Sequence, residues 1–270
     1  MSTLLRSILF AGWLVLMTAT AALAQDARSA ARPAAAEQLF ALANQSRAEA
    51  GAQPLKWDAA LAAAAMKHCE RMAVEGPIAH RYGGEPDVSE RAAQAGAHFS
   101  RIEENIAVGS YPASIHDGWM HSPPHRANLL NPNVNRVGIA VVAAHGVLFA
   151  AVDFSEAVPV LSAAQVEERV GELIRMSGIT VSADHADARA ACQLNHGLPP
   201  ISGGDPQFVM RWQGADIDHL PQDLVTRLGT REFRQAEVGS CPAQNAEGAF
   251  TVYRLAVLLY SAPARIRNNW

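Results

Sequence analysis

The segment from Arg101 to Pro132 constrains this chain most, because it combines turn-forming residues with many groups that can ligate a metal or transfer a proton. Those groups are Glu103, Glu104, His116, Asp117, His121 and His125. His121 and His125 have the i, i+4 spacing that places two metal ligands on one face of a helix. Pro123 and Pro124 lie between them, and a proline pair cannot sit inside a helical turn. We therefore do not expect one helix to carry both histidines, and we expect His121 to be exposed.

The composition is that of a soluble globular protein, since 49% of the 270 residues are hydrophobic and 18% are charged. This length allows one or two domains. A formal net charge of −4 argues against a nucleic-acid partner, because phosphate binding needs a basic surface.

The N-terminal residues have the features of a secretory signal peptide. Arg6 precedes an apolar run from Ile8 to Ala24, and Ala22-Leu23-Ala24 forms an Ala-x-Ala cleavage site before Gln25. We expect residues 1–24 to be removed on export, which leaves no stable membrane span in a periplasmic or extracellular protein. The alternative is an uncleaved membrane anchor, although the apolar run is short for crossing a bilayer. No cysteine follows the run, so we do not expect a lipoprotein.

Export changes how the three cysteines are interpreted, because an oxidising compartment favours disulfides. Cys192 and Cys241 both lie in the C-terminal half, and we expect them to be bonded to each other. Closing a loop of that length stabilises a fold by about 4 kcal/mol in the chain-entropy model. Cys69 lies alone on an expected helix, where a free cysteine is usually a small buried hydrophobic residue.

Apolar periodicity predicts helices interleaved with strands over residues 37–158. A linker over residues 25–36 should precede a first helix from Glu37 to Gly51, and Asp58 should cap a second helix that stops near Gly76. The other expected elements are a helix from Asp87 to Ala95, a helix that begins at Pro112, and a hairpin of Arg136–Val142 with Val147–Phe154. This pattern indicates the α+β class and a three-layer α-β-α sandwich that closes near Ser155.

Pro159 marks a domain boundary, and residues 160–270 should form a second small α+β domain. Helices are expected at Ser162–Met176 and Leu220–Leu228, and strands at Gln207–Trp212, Arg231–Val238 and Ala249–Tyr260. No repeat in the sequence relates this half to the first. Its role is not indicated by any motif.

Four pieces of the first domain, in this order, resemble the CAP superfamily, the secreted domain of cysteine-rich secretory, antigen 5 and pathogenesis-related proteins. They are Leu42-Ala43-Asn44-Gln45-Ser46-Arg47 with Pro54-Leu55-Lys56-Trp57; His80 after the second helix; Glu104-Asn105-Ile106-Ala107; and Trp119 to Pro132 followed by Val137-Gly138-Ile139. The resemblance covers about residues 37–155 and is strongest to the bacterial branch with an SCP-like extracellular domain.

The resemblance implies a cleft lined by two histidines and two glutamates, in which the histidines of several members hold a divalent metal. His80 matches the first histidine, Glu104 the first glutamate and His125 the second histidine. Ser122 stands where the second glutamate belongs, which weakens any mechanism that needs a carboxylate pair. Two imidazoles suit Zn²⁺ or another divalent ion, and we expect His80 and His125 to be its ligands.

Three functions follow from this resemblance. The first is a binding module whose cleft, formed by His80, Glu104, Ser122 and His125, holds a metal and a small lipid, glycan or peptide. The second is a hydrolase with a metal-bound water between His80 and His125 and with Glu104 as the catalytic base, unless Glu104 only orients an imidazole. The third is a structural or adhesive module with a vestigial cleft. Fold alone does not decide among them.

Other polar residues are expected to have structural roles. A Ser122 and His125 hydrolase is not supported, because the chain has no Gly-x-Ser-x-Gly turn, and we expect Ser122 to cap or hydrogen-bond its turn. Asn105, Arg126 and Asn128 should satisfy backbone groups in irregular loops. The remaining expectations are that His68 is a packed or half-exposed histidine of the second helix and that Asp153 pairs with a cation.

Overall fold

The computed structural model describes residues 33–202, 204–243 and 249–261. The expected signal peptide and residues 25–32 of the expected linker lie outside these ranges. The chain divides into two compact units: the first contains the residues up to Ala95 with Ile102–Ser155, and the second contains Gly96–Arg101 with the residues from Glu156 onward. Within the described ranges, no helix has the length and apolar character needed to cross a bilayer.

The helices of the first unit surround the segment that carries the motifs. They are α1 (Ala34–Glu49), α2 (Ala59–Glu75), α3 (Val88–Gln94), α4 (Pro112–His121) and α5 (Pro123–Leu130). The expected start of α1 at Glu37 is wrong by three residues. Pro33 occupies the N-cap position, and the alanines after it have high helix propensity, so the first turn forms earlier. Asp58 caps α2 as expected, with its carboxylate accepting bonds from Ala60 N and Leu61 N.

One mixed sheet forms the centre of the first unit. Its strands are β1 (Lys56–Trp57), β2 (Phe99–Gly109), β3 (Arg136–Ala144) and β4 (Val147–Ala157), in the order β1-β3-β4-β2. The expected β3–β4 hairpin is confirmed, and it turns at His145 and Gly146, which both have positive φ. Strand β2 was not expected, because the polar residues Glu103, Glu104 and Asn105 interrupt its apolar pattern.

Two apolar clusters cover the two faces of this sheet, which confirms the α-β-α sandwich. One cluster joins α1, α4 and α5 to the face of Val137 and Ile139. The other joins α2 to the face of Ala140 and Ala151. At Gly138 a Cβ atom would lie only 2.1 Å from Ala62 N, so glycine is what lets α2 approach the sheet this closely.

The second unit is also an α+β fold. Its helices are α6 (Ala163–Arg175), α7 (Ala186–Gln193) and α8 (Gln222–Gly229), and its strands are β5 (Thr180–Val181), β6 (Phe208–Gly214), β7 (Phe233–Cys241) and β8 (Tyr253–Ser261). Helix α7 and the short strand β5 were not expected. A disulfide between Cys192 of α7 and Cys241 of β7, with Cα atoms 5.9 Å apart, confirms the expected pairing. Cys69 is free and buried, also as expected.

The two units share one topology. In each, a helix, a two-residue strand and a second helix precede an edge strand, a helical segment and a final antiparallel hairpin. The strand order β5-β7-β8-β6 repeats the order of the first sheet, and in both sheets the two-residue strand pairs parallel to the first hairpin strand. Gly239 of β7 repeats the role of Gly138, since a Cβ atom there would lie 2.2 Å from Arg189 N of α7. The repeat is therefore one of topology, which the sequence did not reveal.

Candidate functional site

The site is built around Glu104, a buried residue of β2. Its Oε1 accepts a hydrogen bond from His80 Nδ1 at 2.7 Å, and its Oε2 accepts a short bond from the Arg91 guanidinium of α3. His80 lies in the loop after α2, with 59% of its side chain exposed. Because the carboxylate holds Nδ1–H, His80 presents its Nε2 lone pair away from Glu104.

The pKa values of His80 and His125 are shifted in opposite directions. The hydrogen bond from Glu104 raises the pKa of His80 above 6.5, with burial and Arg91 opposing the shift. Burial lowers the pKa of His125 below 6.5, and the nearby charge of His80 lowers it further. The two imidazoles are thus close enough to influence each other, and His125 is neutral at neutral pH.

The position of His125 is set by a break between two helices at Ser122. Helix α4 ends at His121, and Pro123 and Pro124 begin α5, as residues without a backbone N–H can. The expectation for His121 is confirmed, because its side chain is 79% exposed and lies 3.2 Å from Asp117. The i, i+4 pair therefore does not share a helix.

Ser122 lies at the helix junction, half-buried, and its side chain makes no capping hydrogen bond. The expected capping role is therefore wrong, whereas the expected hydrogen bonding of the turn is made by the Ser122 backbone. The prolines at the first two positions of α5 have no N–H to offer, which leaves few backbone donors for a serine oxygen at the N-cap. The Ser122 carbonyl instead accepts a hydrogen bond from Arg126 N.

Two asparagines join α5 to β2. Asn105 donates to the carbonyl of His125 at 2.9 Å, and Asn128 donates to Asn105 Oδ1 at 3.0 Å and to the carbonyl of Glu104 at 3.3 Å. Their expected structural roles are confirmed. Arg126 is exposed and makes no side-chain hydrogen bond to the described part of the chain, so the same expectation is wrong for it. The amide network fixes His125 relative to Glu104.

Arg47 of α1 holds the far end of α5. Its side chain is completely buried, and its guanidinium donates to four backbone carbonyls. These belong to Gln53, Leu129, Asn131 and Val134. Nearby, Asn44 exchanges two hydrogen bonds with the backbone of Leu55. Arg47 and Asn44 both belong to the first motif piece, which therefore stabilises the segment that carries His125.

A network of buried ionisable side chains lies behind Glu104, and its members come from different elements. His68 of α2 is completely buried, with Nδ1 2.9 Å from Glu85 Oε1 and Nε2 3.9 Å from Glu104 Oε2. Arg91 Nη1 is 3.9 Å from the same Glu85 oxygen. His68 is therefore part of an electrostatic network. Sequence patterns gave no signal for the roles of Glu85 and Arg91, because both lie outside the motif stretches.

Asp153 of β4 is the deepest member of this network, with no side-chain exposure. Neither of its oxygens makes a hydrogen bond of ordinary geometry to a described residue, although the Glu104 carboxylate is its neighbour. Burial raises the pKa of Asp153 well above 3.8, and the charge of Glu104 raises it further, while Arg91 opposes the shift. Asp153 is therefore not neutralised by an ion pair, which was the expectation.

The metal ligands expected from the sequence are the imidazoles of His80 and His125. Among the residues that the structure describes, no group of three or more His, Cys, Asp or Glu side chains converges to hold an ion. Both Glu104 oxygens already accept bonds from His80 and Arg91. His80 and His125 alone would therefore be the protein ligands, with the remaining positions left to water or a bound molecule.

The first part of the chain matches a known protein family. Residues 40–152 match the model of the CAP family, the cysteine-rich secretory protein family. This part of the chain is therefore a CAP domain, and the resemblance drawn from the four motif pieces is confirmed. The match ends at residue 152 and so does not reach the residues from Glu156 onward, which make up most of the second unit.

The curated relatives include two proteins of Bacillus subtilis (strain 168). The uncharacterized membrane protein YlbC is 31% identical over 110 residues, which are 39% of this chain and 31% of that protein. The uncharacterized protein YkwD is 30% identical over 110 residues, which are 39% of this chain and 42% of that protein. The chain thus spans less than half the length of the curated relatives it matches.

Solved structures also show similarity. An extracellular protein containing an SCP domain from Bacillus anthracis str. Ames is 28% identical with a TM-score of 0.42, covering 44% of this chain and 39% of that chain. A cysteine-rich secretory protein from Staphylococcus aureus is 20% identical with a TM-score of 0.39, covering 47% of this chain and 40% of that chain.

Proposed function

We propose that this is an exported binding protein whose CAP domain holds a divalent metal ion through His80 and His125. The observation that carries the proposal is the 2.7 Å hydrogen bond from His80 Nδ1 to Glu104. Metal-binding histidines almost always donate their second ring nitrogen to a carboxylate or carbonyl, which fixes the ring and raises the basicity of the ligating nitrogen.

The donor chemistry fits a borderline ion such as Zn²⁺. His125 is neutral at neutral pH because its pKa is lowered by burial, and a neutral imidazole is the form that binds a metal. With two protein ligands, the ion would keep open positions that a group of a small lipid, glycan or peptide can fill. The metal's chemistry there would be to polarise such a group, while Glu104 orients His80.

The hydrolase alternative has less support. A hydrolase would need a free base beside the metal, and both oxygens of Glu104 accept bonds from His80 and Arg91. Ser122 offers no carboxylate in its place. The binding role needs neither group as a base, so it fits the arrangement with fewer requirements.

Export is supported by two independent features. Residues 1–24 have the pattern of a signal peptide, and the second unit contains a disulfide. Disulfides persist in oxidising compartments and are rare in the cytosol. Both features support a periplasmic or extracellular location.

Calorimetric titration of the purified protein with Zn²⁺ tests the binding role. The wild type should bind saturably, and the His80→Ala, His125→Ala double variant should not. His121→Ala is the matched control, because His121 is exposed and lies on the other side of the helix break, so its removal should not change the affinity. Equal binding by the wild type and the double variant would contradict the metal site and leave the structural role as the better explanation.

A further inference from the structure

Arg91 of α3 is linked to His80 by two routes. Its Nη1 donates to the backbone carbonyl of His80 at 3.2 Å. Its Nη2 donates a short bond to Oε2 of Glu104, and the other oxygen of Glu104 accepts from His80 Nδ1 at 2.7 Å. One guanidinium therefore joins the backbone of His80 to the carboxylate that orients the His80 ring.

The Arg91 guanidinium is itself held in one orientation. The Arg91 side chain is only 5% exposed, and its Nη1 also donates to the carbonyl of Pro86 at 3.0 Å, just before α3 begins. Asp87 caps α3 and forms a capping box with Glu90, so the first turn of this helix is fixed as well. The planar guanidinium has its donors in a rigid arrangement, so these bonds set their directions.

The loop that carries His80 has a separate anchor at Glu85. The Glu85 side chain is 4% exposed, with Oε1 2.9 Å from His68 Nδ1 of α2 and with Oε2 accepting from Tyr82 N at 3.0 Å. These bonds fix the backbone of the loop, but none of them is made by the His80 side chain. The direction of the His80 ring therefore depends on Glu104, and the position of the Glu104 carboxylate depends on Arg91.

We propose that Arg91 is a positioning residue for His80, because its guanidinium holds the Glu104 carboxylate and the His80 backbone in one arrangement that directs His80 Nε2 away from Glu104. The inference rests on the proposed function in one respect, since the direction of Nε2 matters for holding a metal ion. Lysine cannot replace Arg91 in this role, because an ammonium group is a point charge without the paired donors of a guanidinium. The role of Arg91 is therefore more than neutralisation of a buried carboxyl group.

The tautomer of the His80 ring in the metal-free full chain tests the positioning directly. Nitrogen NMR at alkaline pH, where imidazoles are neutral, should show the wild-type ring protonated on Nδ1, because Glu104 accepts that proton. Arg91→Lys should show a mixture of the Nδ1–H and Nε2–H forms. Arg136→Lys is the matched control and should keep the wild-type form, since Arg136 begins β3 and donates to the carbonyl of its neighbour Asn135. A single Nδ1–H form in Arg91→Lys would overturn the proposal.

The wild type alone can also refute the proposal, whether or not the Arg91 variant folds. An Nε2–H form, or a mixture of the two forms, in the wild-type ring would show that Glu104 does not fix His80. Arg91 would then have nothing to position.

Calorimetry with Zn²⁺ tests whether Arg91 acts through Glu104. Arg91→Lys and Glu104→Gln should each weaken binding about tenfold or more, as loss of a metal ligand's supporting partner typically does. The double variant should lose less than the product of the two single losses, because both residues belong to one chain of hydrogen bonds. Losses that multiply, in variants whose amide NMR spectra show the native fold, would overturn the proposal.

The two measurements separate this proposal from the metal site. A wild type that binds no Zn²⁺ contradicts the metal site, while the tautomer of His80, which is measured without metal, still decides the role of Arg91. A wild type that binds Zn²⁺ as tightly as Arg91→Lys supports the metal site and contradicts the role of Arg91.

Discussion

At the scale of single residues, the arrangement of the site depends on the two hydrogen bonds that the Glu104 carboxylate accepts. Glu104 accepts from His80 on one oxygen and from Arg91 on the other, so it is held in place from both the cleft and the interior. His125 is set by a different route, through the bond from Asn105 to its carbonyl. The two imidazoles are therefore positioned independently, and their protonation differs.

Titration of the histidines by NMR should show this difference. The pKa of His80 should lie above 6.5 and that of His125 below it, and Glu104→Gln should lower the pKa of His80 because it removes the charge that stabilises the imidazolium. Since the folded-state pKa of His80 is raised, its bond to Glu104 contributes stability that is fully present below the unfolded pKa. That stability is lost as the pH rises through the folded pKa.

His121 serves as the internal reference in the same experiment. Its exposed side chain is paired with Asp117 of its own helix, so Glu104→Gln should leave the NMR signals of its ring where they are in the wild type. An unchanged pKa for His80 in the Glu104→Gln protein would show that the hydrogen bond between His80 and Glu104 does not govern the titration of His80 in solution.

At the scale of elements, two glycines determine how closely a helix can approach each sheet. Gly138 faces α2 and Gly239 faces α7, and in both places a Cβ atom would meet helix backbone at 2.1 to 2.2 Å. Backbone atoms at that distance cannot move aside in the way that the end of a flexible side chain can. The same packing solution therefore recurs in two units whose sequences show no repeat.

Substitution of these glycines should destabilise the unit that contains each one. Gly138→Ala and Gly239→Ala should each lower the free energy of unfolding by about 1–3 kcal/mol or more, because overpacking forces the helix away from the sheet. Gly118→Ala is the control, since Gly118 lies in α4 with no heavy atom within 4 Å of an added Cβ. It should be neutral or stabilising, and denaturant unfolding distinguishes the three variants. Wild-type stability for Gly138→Ala would refute the close approach of α2.

At the scale of the whole molecule, the two units share a topology but differ in chemistry. The first unit carries the His80 and Glu104 pair and a free cysteine, whereas the second carries the disulfide. Burial raises the pKa of Cys69 to about 12, so its thiol is inert in the folded state. The disulfide therefore stabilises the second unit, while the free cysteine of the first unit stays unreactive.

Removing the disulfide should affect the second unit selectively. The Cys192→Ala, Cys241→Ala variant loses a crosslink across 49 positions, which is worth about 4 kcal/mol in the chain-entropy model. Hydrogen exchange followed by mass spectrometry should show reduced protection from Ala163 to Ser261 and unchanged protection over the first unit, residues 34–95 and 102–155. Native Cys69 should resist a thiol reagent in both proteins, and equal loss of protection in both units would contradict selective stabilisation.

Several elements could be predicted because they depend on the chemistry of neighbouring residues. Capping by Asp58, the proline start of α4 and the β3–β4 hairpin follow from short-range propensities, so they were predictable. The sequence also singled out His80, Glu104 and His125, because they match the motifs of the family, and the structure joins the first two by a hydrogen bond. The Cys192–Cys241 bridge followed from counting cysteines in a chain that we expected to be exported.

Which side chains share a site, and which units share a topology, could be seen only in the folded chain. His68, Arg91 and Asp153 meet behind Glu104 from three different elements, and no spacing along the chain encodes such a meeting. Strand β2 was missed because its polar residues are satisfied by partners distant in sequence. The repeated strand order was hidden because many apolar sequences can pack the same way. Local propensity acts over a few residues, whereas burial and charge pairing act across the whole fold.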